Sequence, residues 1–418
     1  MHMHENHCIK RAGVAGLRAR ADSLKCMYLS DNTERIHTQC IGKAMIAGQW
    51  IGEYEGSSNG FCTINIEPKD GMLHCNSYLL EGTTIFPSSY AYFTLDDGRE
   101  EYELEILQIG VIDKNYYLVP PQLKSKVLSE SFFGVIFPES AKIKMNFLNG
   151  ELLVKITTDI GTNLHCRLQK EYAKDHSLEA KEVSWQQFKE YLETIDYRKV
   201  AFRGQADTWP LRTSFHRYNR CDVQVFANND IPMLHRHLSS LTKHYFNLSD
   251  IQHVGAFFNL LQHHGYPTPL LDWSFSPYVA AFFAFSKIEK KEIEANDGNR
   301  KVRIYILDVE RWKSDFQQFY NIYDCRMHVS IGEYMSLDNK RAIPQQALTT
   351  LTNVYDIEGY FYKLGGDEQK YLNAFDISIK ESAQVMRELT LMGVTYGSLF
   401  PGLDGACHDL RKINFTES

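Results

Sequence analysis

From Ile46 to about Gln169 the chain is written with a period of two and broken by glycine turns, which constrains its fold more than any other feature. Phe61-Cys-Thr-Ile-Asn-Ile66 alternates apolar with polar and runs into Pro68-Lys-Asp-Gly71. Tyr90-Ala-Tyr-Phe-Thr-Leu95 is followed by Asp96-Asp-Gly98 and then by alternating Tyr102-Glu-Leu-Glu-Ile106. Lys142-Ile-Lys-Met-Asn-Phe147 meets Asn149-Gly150 and then Leu152-Leu-Val-Lys-Ile156. Short alternating runs split by Asp-Gly or Asn-Gly are the strongest local hairpin signal. Several in series predict an antiparallel barrel or sandwich over residues 46–172.

The opening of this region, Gly48-Gln-Trp-Ile-Gly-Glu-Tyr54, resembles the first strand of a small up-and-down barrel of the lipocalin type. The resemblance implies a barrel that takes a small ligand or a partner. The residues leave a plainer reading open, in which Trp50 plugs a core and the barrel is a scaffold or interaction domain. Residues 1–45 form a polar lead without a sustained period.

With 418 residues the chain has room for two or three domains. Its formal net charge of −7 argues against a protein that grips nucleic acid over its whole surface, although a local basic patch is allowed. No apolar run approaches the length of a membrane span, and the most apolar one, Tyr278-Val-Ala-Ala-Phe-Phe-Ala-Phe285, reads as a buried core helix. The N-terminus lacks an apolar signal core, so a cytoplasmic protein is expected. The 9 cysteines are odd in number, scattered and without a CxxC pair, which predicts reduced thiols and no zinc site.

After Lys170 helical and strand patterns interleave without regular βαβ spacing, which predicts an α+β domain over 176–418. Ser184 with Gln187 matches a capping box ahead of Trp185, Phe188 and Leu192 at helical spacing. Lys199-Val-Ala-Phe-Arg-Gly204 and Lys301-Val-Arg-Ile-Tyr-Ile-Leu-Asp308 read as strands, residues 231–264 and about Ser382 to Met392 as helical.

Four separated segments in this half have side chains suited to chemistry. In Phe202-Arg-Gly-Gln205 an arginine closes a strand, and its fork of donors suits phosphate or carboxylate. The glycine after it lets backbone approach a ligand. In Leu261-Gln-His-His-Gly-Tyr-Pro-Thr-Pro-Leu-Leu-Asp-Trp-Ser-Phe-Ser276 a turn-rich loop leads to a helix opened by Pro277, which is favoured at the first helical position. Asp272 or Ser276 can cap that helix, and the same N-terminus can hold an anion. Asn339-Lys-Arg-Ala-Ile-Pro-Gln-Gln-Ala-Leu-Thr-Thr350 carries two adjacent amides, each of which must be paired if buried. The fourth segment is Ser398-Leu-Phe-Pro-Gly-Leu-Asp-Gly405.

Together these segments resemble the FRG domain, a bacterial and phage family. The likeness runs through Phe202 to Gln205, Gln262 to Phe285, Arg341 to Leu348 and Leu399 to Gly405, within about Val183 to Leu410. Pro269 stands where the family usually has an arginine, and Ala347 and Leu348 where it has a glycine and an aromatic. The first departure removes an expected anion contact; the others look like packing changes.

The order of arginine, Ser-x-Ser before a helix and a polar strand residue also resembles the ADP-ribosyltransferases. That likeness implies NAD as co-substrate, with Arg203, Gly204 and Gln205, Thr268, Ser274 and Ser276 around the dinucleotide. The glutamate of those enzymes falls here on Gln345 or Gln346, and an amide does not balance a cation as a carboxylate does. His263, His264 or Asp272 then remain for acid–base work.

The function implied is an effector of antiphage defence or a toxin, acting as an ADP-ribosyltransferase or NAD glycohydrolase on a protein or nucleic-acid target, with a phage-derived trigger. The alternatives are a non-catalytic module that senses a nucleotide or phage protein, and a buried polar network that only holds the fold. Oligomeric state stays open. No GxxxxGK[ST] loop, GxGxxG turn or HExxH helix competes, and His244, His253, His263 and His264 match no firm zinc spacing. If Arg203, His264, Asp272 and Gln346 lie far apart in the fold, the enzyme and the sensor readings both lose their warrant.

Overall fold

The computed structural model describes residues 46–415 apart from 97, 171, 173–177, 296–298, 336, 338 and 367–368. The polar lead expected over 1–45, with Cys8, Cys26 and Cys40, lies outside the described residues.

The period-two region forms β1 (Gly48–Gly56), β2 (Gly60–Lys69), β3 (Met72–Glu81), β4 (Ser88–Leu95), β5 (Glu101–Ile106), β6 (Gly110–Ile112), β7 (Ala141–Leu148), β8 (Glu151–Thr158) and β9 (Asn163–Gln169). They make one antiparallel sheet in the order β5-β7-β8-β9-β1-β2-β3-β4-β6, curled as a half-barrel around a single core. Along β7 the alternation is strict: Ala141, Ile143, Met145 and Phe147 enter the core while Lys142 and Lys144 face out. Two of the expected hairpins form as read. Asp70 and Gly71 take φ of +50° and +80°, and Asn149 and Gly150 take +52° and +78°, the paired left-handed residues that match the twist of the flanking strands.

The hairpin expected at Asp96-Asp-Gly98 does not form. β4 pairs with β3 and β6, whereas β5 leaves it to pair with β7 over Glu101–Ile106 and Ala141–Asn146. A six-residue ladder outweighs one turn signal. β5 therefore ends one edge of the sheet, β4 and β6 end the other, and the curl is open between them.

The second half forms β10 (Ala180–Glu182), β11 (Val200–Gln205), β12 (Leu270–Ser274), β13 (Lys301–Asp308), β14 (Val329–Gly332), β15 (Ala347–Thr352) and β16 (Leu372–Ser378). Their order is β10-β16-β13-β11-β12-β15-β14, antiparallel except for the parallel pair β10–β16. Both faces are covered. Phe202, Val302, Ile304 and Ile306 pack under the helices Trp185–Thr194, Pro277–Phe285 and Ser382–Leu391. Ala201, Tyr305, Leu307 and Trp273 pack on the other side against Trp312 and Phe361. The class is α+β, as expected. The Ser184–Gln187 capping box forms, while 231–264 divides into helices Ile231–Leu238 and Ile251–His263. No helix among the described residues is long and apolar enough to cross a membrane.

The two sheets meet along a polar seam. Glu67 of β2 accepts hydrogen bonds from the backbone of Cys221 (2.6 Å) and Asp222 (2.8 Å) and from Arg220 Nε (2.7 Å). The Tyr78 hydroxyl donates to Asp222, whose carboxyl burial pushes up to about 6. Gln49 donates to the Asn353 carbonyl at 2.9 Å and accepts from the Tyr355 amide at 3.0 Å. Buried polar groups of β1–β3 thus find their partners in the second half.

Candidate functional site

β11 and β12 lie at the centre of the second sheet and pair at Phe202 and Ser274. This register brings the four segments together, and the joints between them end on main-chain carbonyls. The Ser274 hydroxyl donates to the Gln345 carbonyl at 2.7 Å, and the Phe275 amide donates to the Gln346 carbonyl at 2.9 Å. Gln345 Nε2 donates to the Leu399 carbonyl at 3.0 Å, which ties in the fourth segment.

Several candidate residues are thereby occupied as structure. Ser276 is the N-cap of the Pro277–Phe285 helix, with Pro277 in its first turn, and its hydroxyl accepts from the Val279 amide at 3.3 Å. Ser274 also accepts from the Ser276 amide at 3.0 Å. Gln205 is buried and donates to the Trp209 carbonyl at 2.6 Å. Thr268 is fully buried, donates to Gln262 Oε1, and accepts through its carbonyl from the Phe215 amide. Gly204 has a clear reason to be glycine: an added Cβ would stand 1.8 Å from the Ala280 carbonyl oxygen. Its missing side chain admits the helix to the strand, so the close approach it permits is to protein backbone.

What remains for chemistry centres on Arg203 and Asp272. Arg203 Nη1 donates to the Asp272 carbonyl at 2.7 Å, while Nε is enclosed and has no partner. Burial pushes the guanidinium down to about 10; Asp272 opposes this and Arg217 adds to it. The Asp272 carboxylate is exposed and accepts from Gln262 Nε2 at 2.5 Å, the same amide group that Thr268 fixes through its oxygen. Burial lowers His263 below its ordinary value, Arg341 and His264 push the same way, and Asp272 opposes them. His264 is exposed at the C-cap of the Ile251–His263 helix. Gln346 is exposed with φ of +47° at the start of β15.

Arg203, Asp272 and His263 are thus electrostatic neighbours, with Gln346 at the adjoining strand end and His264 on the rim. Two cations join them that sequence reasoning did not single out. Arg341 lies over the Phe400 ring at 5.0 Å, within a matched motif that could have flagged it. Arg217 is exposed at the end of the one-turn helix Ser214–Arg217 and has no motif signal. Among the described residues no group of three or more His, Cys, Asp or Glu is placed to hold a metal ion. His253 instead accepts from the Asn247 amide at 3.0 Å.

A family model for the FRG domain matches residues 198–293. No curated protein matches the chain. Two solved structures, both of redesigned beta barrels, match at 12% and 10% identity with a TM-score of 0.20 each; the second is mFAP1 bound to DFHBI. Each covers 31% of this chain, and 93% and 97% of their own chains are covered.

Proposed function

Since residues 198–293 match the FRG domain model, we propose that the Arg203–Asp272 cleft binds NAD and breaks it, as a glycohydrolase or an ADP-ribosyltransferase. The observation that carries this reading is the state of Arg203. Its guanidinium is desolvated enough to depress its pKa, and it keeps an unpartnered donor beside an exposed carboxylate. A pyrophosphate placed against it restores the charge balance that burial disturbs.

In this reading Arg203 holds the phosphates, with Arg217 and Arg341 adding positive potential. Asp272 replaces the missing glutamate. It is the carboxylate next to Arg203, whereas the Gln345 amide is committed to Leu399. As nicotinamide leaves with the bonding pair, Asp272 stabilises the oxocarbenium cation, and water or a target nucleophile adds to it. His263, kept neutral by burial, accepts the proton from that nucleophile.

Purified full-length protein incubated with NAD should release nicotinamide, and Arg203→Ala should lower turnover by about 1–3 kcal/mol of transition-state stabilisation with unchanged circular dichroism. Absence of turnover, with and without phage lysate, overturns the reading. The role in antiphage defence or as a toxin is tested by phage plating on a host expressing wild type or Arg203→Ala. A second reading, a nucleotide- or phage-protein sensor without catalysis, is favoured by the structural commitment of Ser274, Ser276 and Gln345. NAD binding without turnover supports it.

A further inference from the structure

The core of the curled sheet is solid at one end and hollow at the other. At the end marked by Trp50, the side chains of Ile66, Leu73, Leu152 and Leu168 are 0% exposed. At the opposite end the inward-facing Leu79, Ala91 and Ile156 each keep 8% exposure, because they line a cavity of about 240 Å³. Its mouth is bordered by Phe86, Ile136 and Ile160, which are 47%, 76% and 45% exposed. These apolar side chains project where a folded chain gains nothing by showing them to water.

One carboxylate is set into this apolar wall. Tyr54, Gly60 and Glu81 stand opposite one another across β1, β2 and β3. Gly60 has no side chain, and a Cβ added there would lie 2.7 Å from the Tyr54 hydroxyl oxygen, so the phenol passes over the glycine towards Glu81. Tyr54 is 2% exposed, and its hydroxyl stands against the Glu81 carboxylate and the Ser58 hydroxyl. The Ser58 hydroxyl donates to Glu81 Oε1 at 2.9 Å, and burial raises the Glu81 carboxyl above its ordinary value. Glu81 thus meets two hydroxyls in a mostly apolar wall, and a partly buried carboxylate gains further from a cation or another donor.

We propose that the open end of the curled sheet is a binding site for a small amphipathic amine or alcohol, with its apolar body in the cavity and its hydrogen-bond-donating head at Glu81. A cavity of about 150 Å³ lined by aliphatic and aromatic side chains holds benzene, so this one accepts a body of about ten heavy atoms. The same carboxylate rejects a carboxylic acid of equal length by like-charge repulsion. The site lies in the other half from the NAD cleft and does not rest on that reading.

The test is calorimetric titration of the full chain with n-octylamine, n-octanol and octanoate. The amine and the alcohol should bind, and octanoate should bind at least about tenfold more weakly. Glu81→Gln should bring octanoate within about threefold of the alcohol by removing the repulsion. Ala91→Phe should fill the cavity and abolish binding of all three; Ser89→Phe, on the same wall, serves if that variant does not fold. The proposal is overturned if wild type binds none of the probes, if octanoate binds as well as the amine, or if binding survives a folded cavity-filling variant. Nicotinamide release from NAD should be unchanged in Glu81→Gln.

Discussion

The two sheets of this protein solve the same problem by different means. In the first, strands adjacent in sequence are mostly adjacent in space, the inner face is buried, the outer face is covered only where β1–β3 meet the second half, and the hollow end is left open. In the second, β11 pairs with β13 about a hundred residues later and β10 with β16 nearly two hundred later, and helices cover both faces. Short loops make the first sheet a product of local turns. The second exists only when distant segments meet, so its centre is where segments separated in sequence supply one cleft.

The largest effect is expected from Gly204→Val, which strikes the second sheet at its centre. The new Cβ would collide with the Ala280 carbonyl, where neither strand nor helix has room to give. A loss of more than about 3 kcal/mol is expected in urea unfolding, with the second half lost and the far-ultraviolet signal of the first retained. Equal loss of both halves shows instead that the sheets fold as one unit.

Glu67→Ala attacks the seam. It removes the acceptor of two backbone amides and leaves Arg220 with Asp230 alone. About 3 kcal/mol should be lost, and a single unfolding transition should split in two, seen by differential scanning calorimetry. An unsplit transition means that apolar contacts between the sheets carry the coupling.

His216 tests the second half by pH. It is 1% exposed, both ring nitrogens lack partners, and burial, helped by Arg212, pushes it down to about 3. The unfolded chain takes up its proton near pH 6.5 and the folded chain only near 3, so stability falls as pH falls through that window. His216→Phe should flatten the slope relative to wild type by up to about 1.4 kcal/mol per pH unit. Asp222, raised to about 6, contributes a slope of opposite sign between about pH 4 and 6 in both proteins and cancels in the difference. A variant profile parallel to wild type means that His216 is not the group titrating.

The smallest effect is expected at Glu103→Gln on β5. Its pair with Lys144 at 3.2 Å is exposed on both sides, so less than about 0.5 kcal/mol should be lost in urea unfolding. A larger loss would show that this pair fixes β5 to β7.

The sequence was most legible where the physics is local. Asp70-Gly71 and Asn149-Gly150 mark true hairpins because left-handed backbone is a property of the residues in the turn. Ser184, Ser276 and Pro277 mark helix starts for the same kind of reason. Asp96-Asp-Gly98 misled, since a turn signal says nothing about a competing ladder with β7. At the candidate site the motifs named the right segments, but motif membership does not separate ligand groups from braces. Ser274, Gln205, Thr268 and Gly204 turn out to be engaged with neighbouring backbone or side chains. Arg217 had no sequence signal, because its relevance comes from lying near Arg203 in space.

Local patterns in the chain were enough to mark an alternating β region, an α+β region whose residues 198–293 match the FRG domain model, and the short stretches that turn or cap. The tertiary structure decided that the first sheet stays open beside β5, that Arg203 meets the backbone of Asp272, and that one end of the core is hollow. The reason is range: φ preferences and caps act over a few residues and are written in them. Strand partners, desolvation and cavities are set by groups far apart in the chain, and exist only once it has closed on itself.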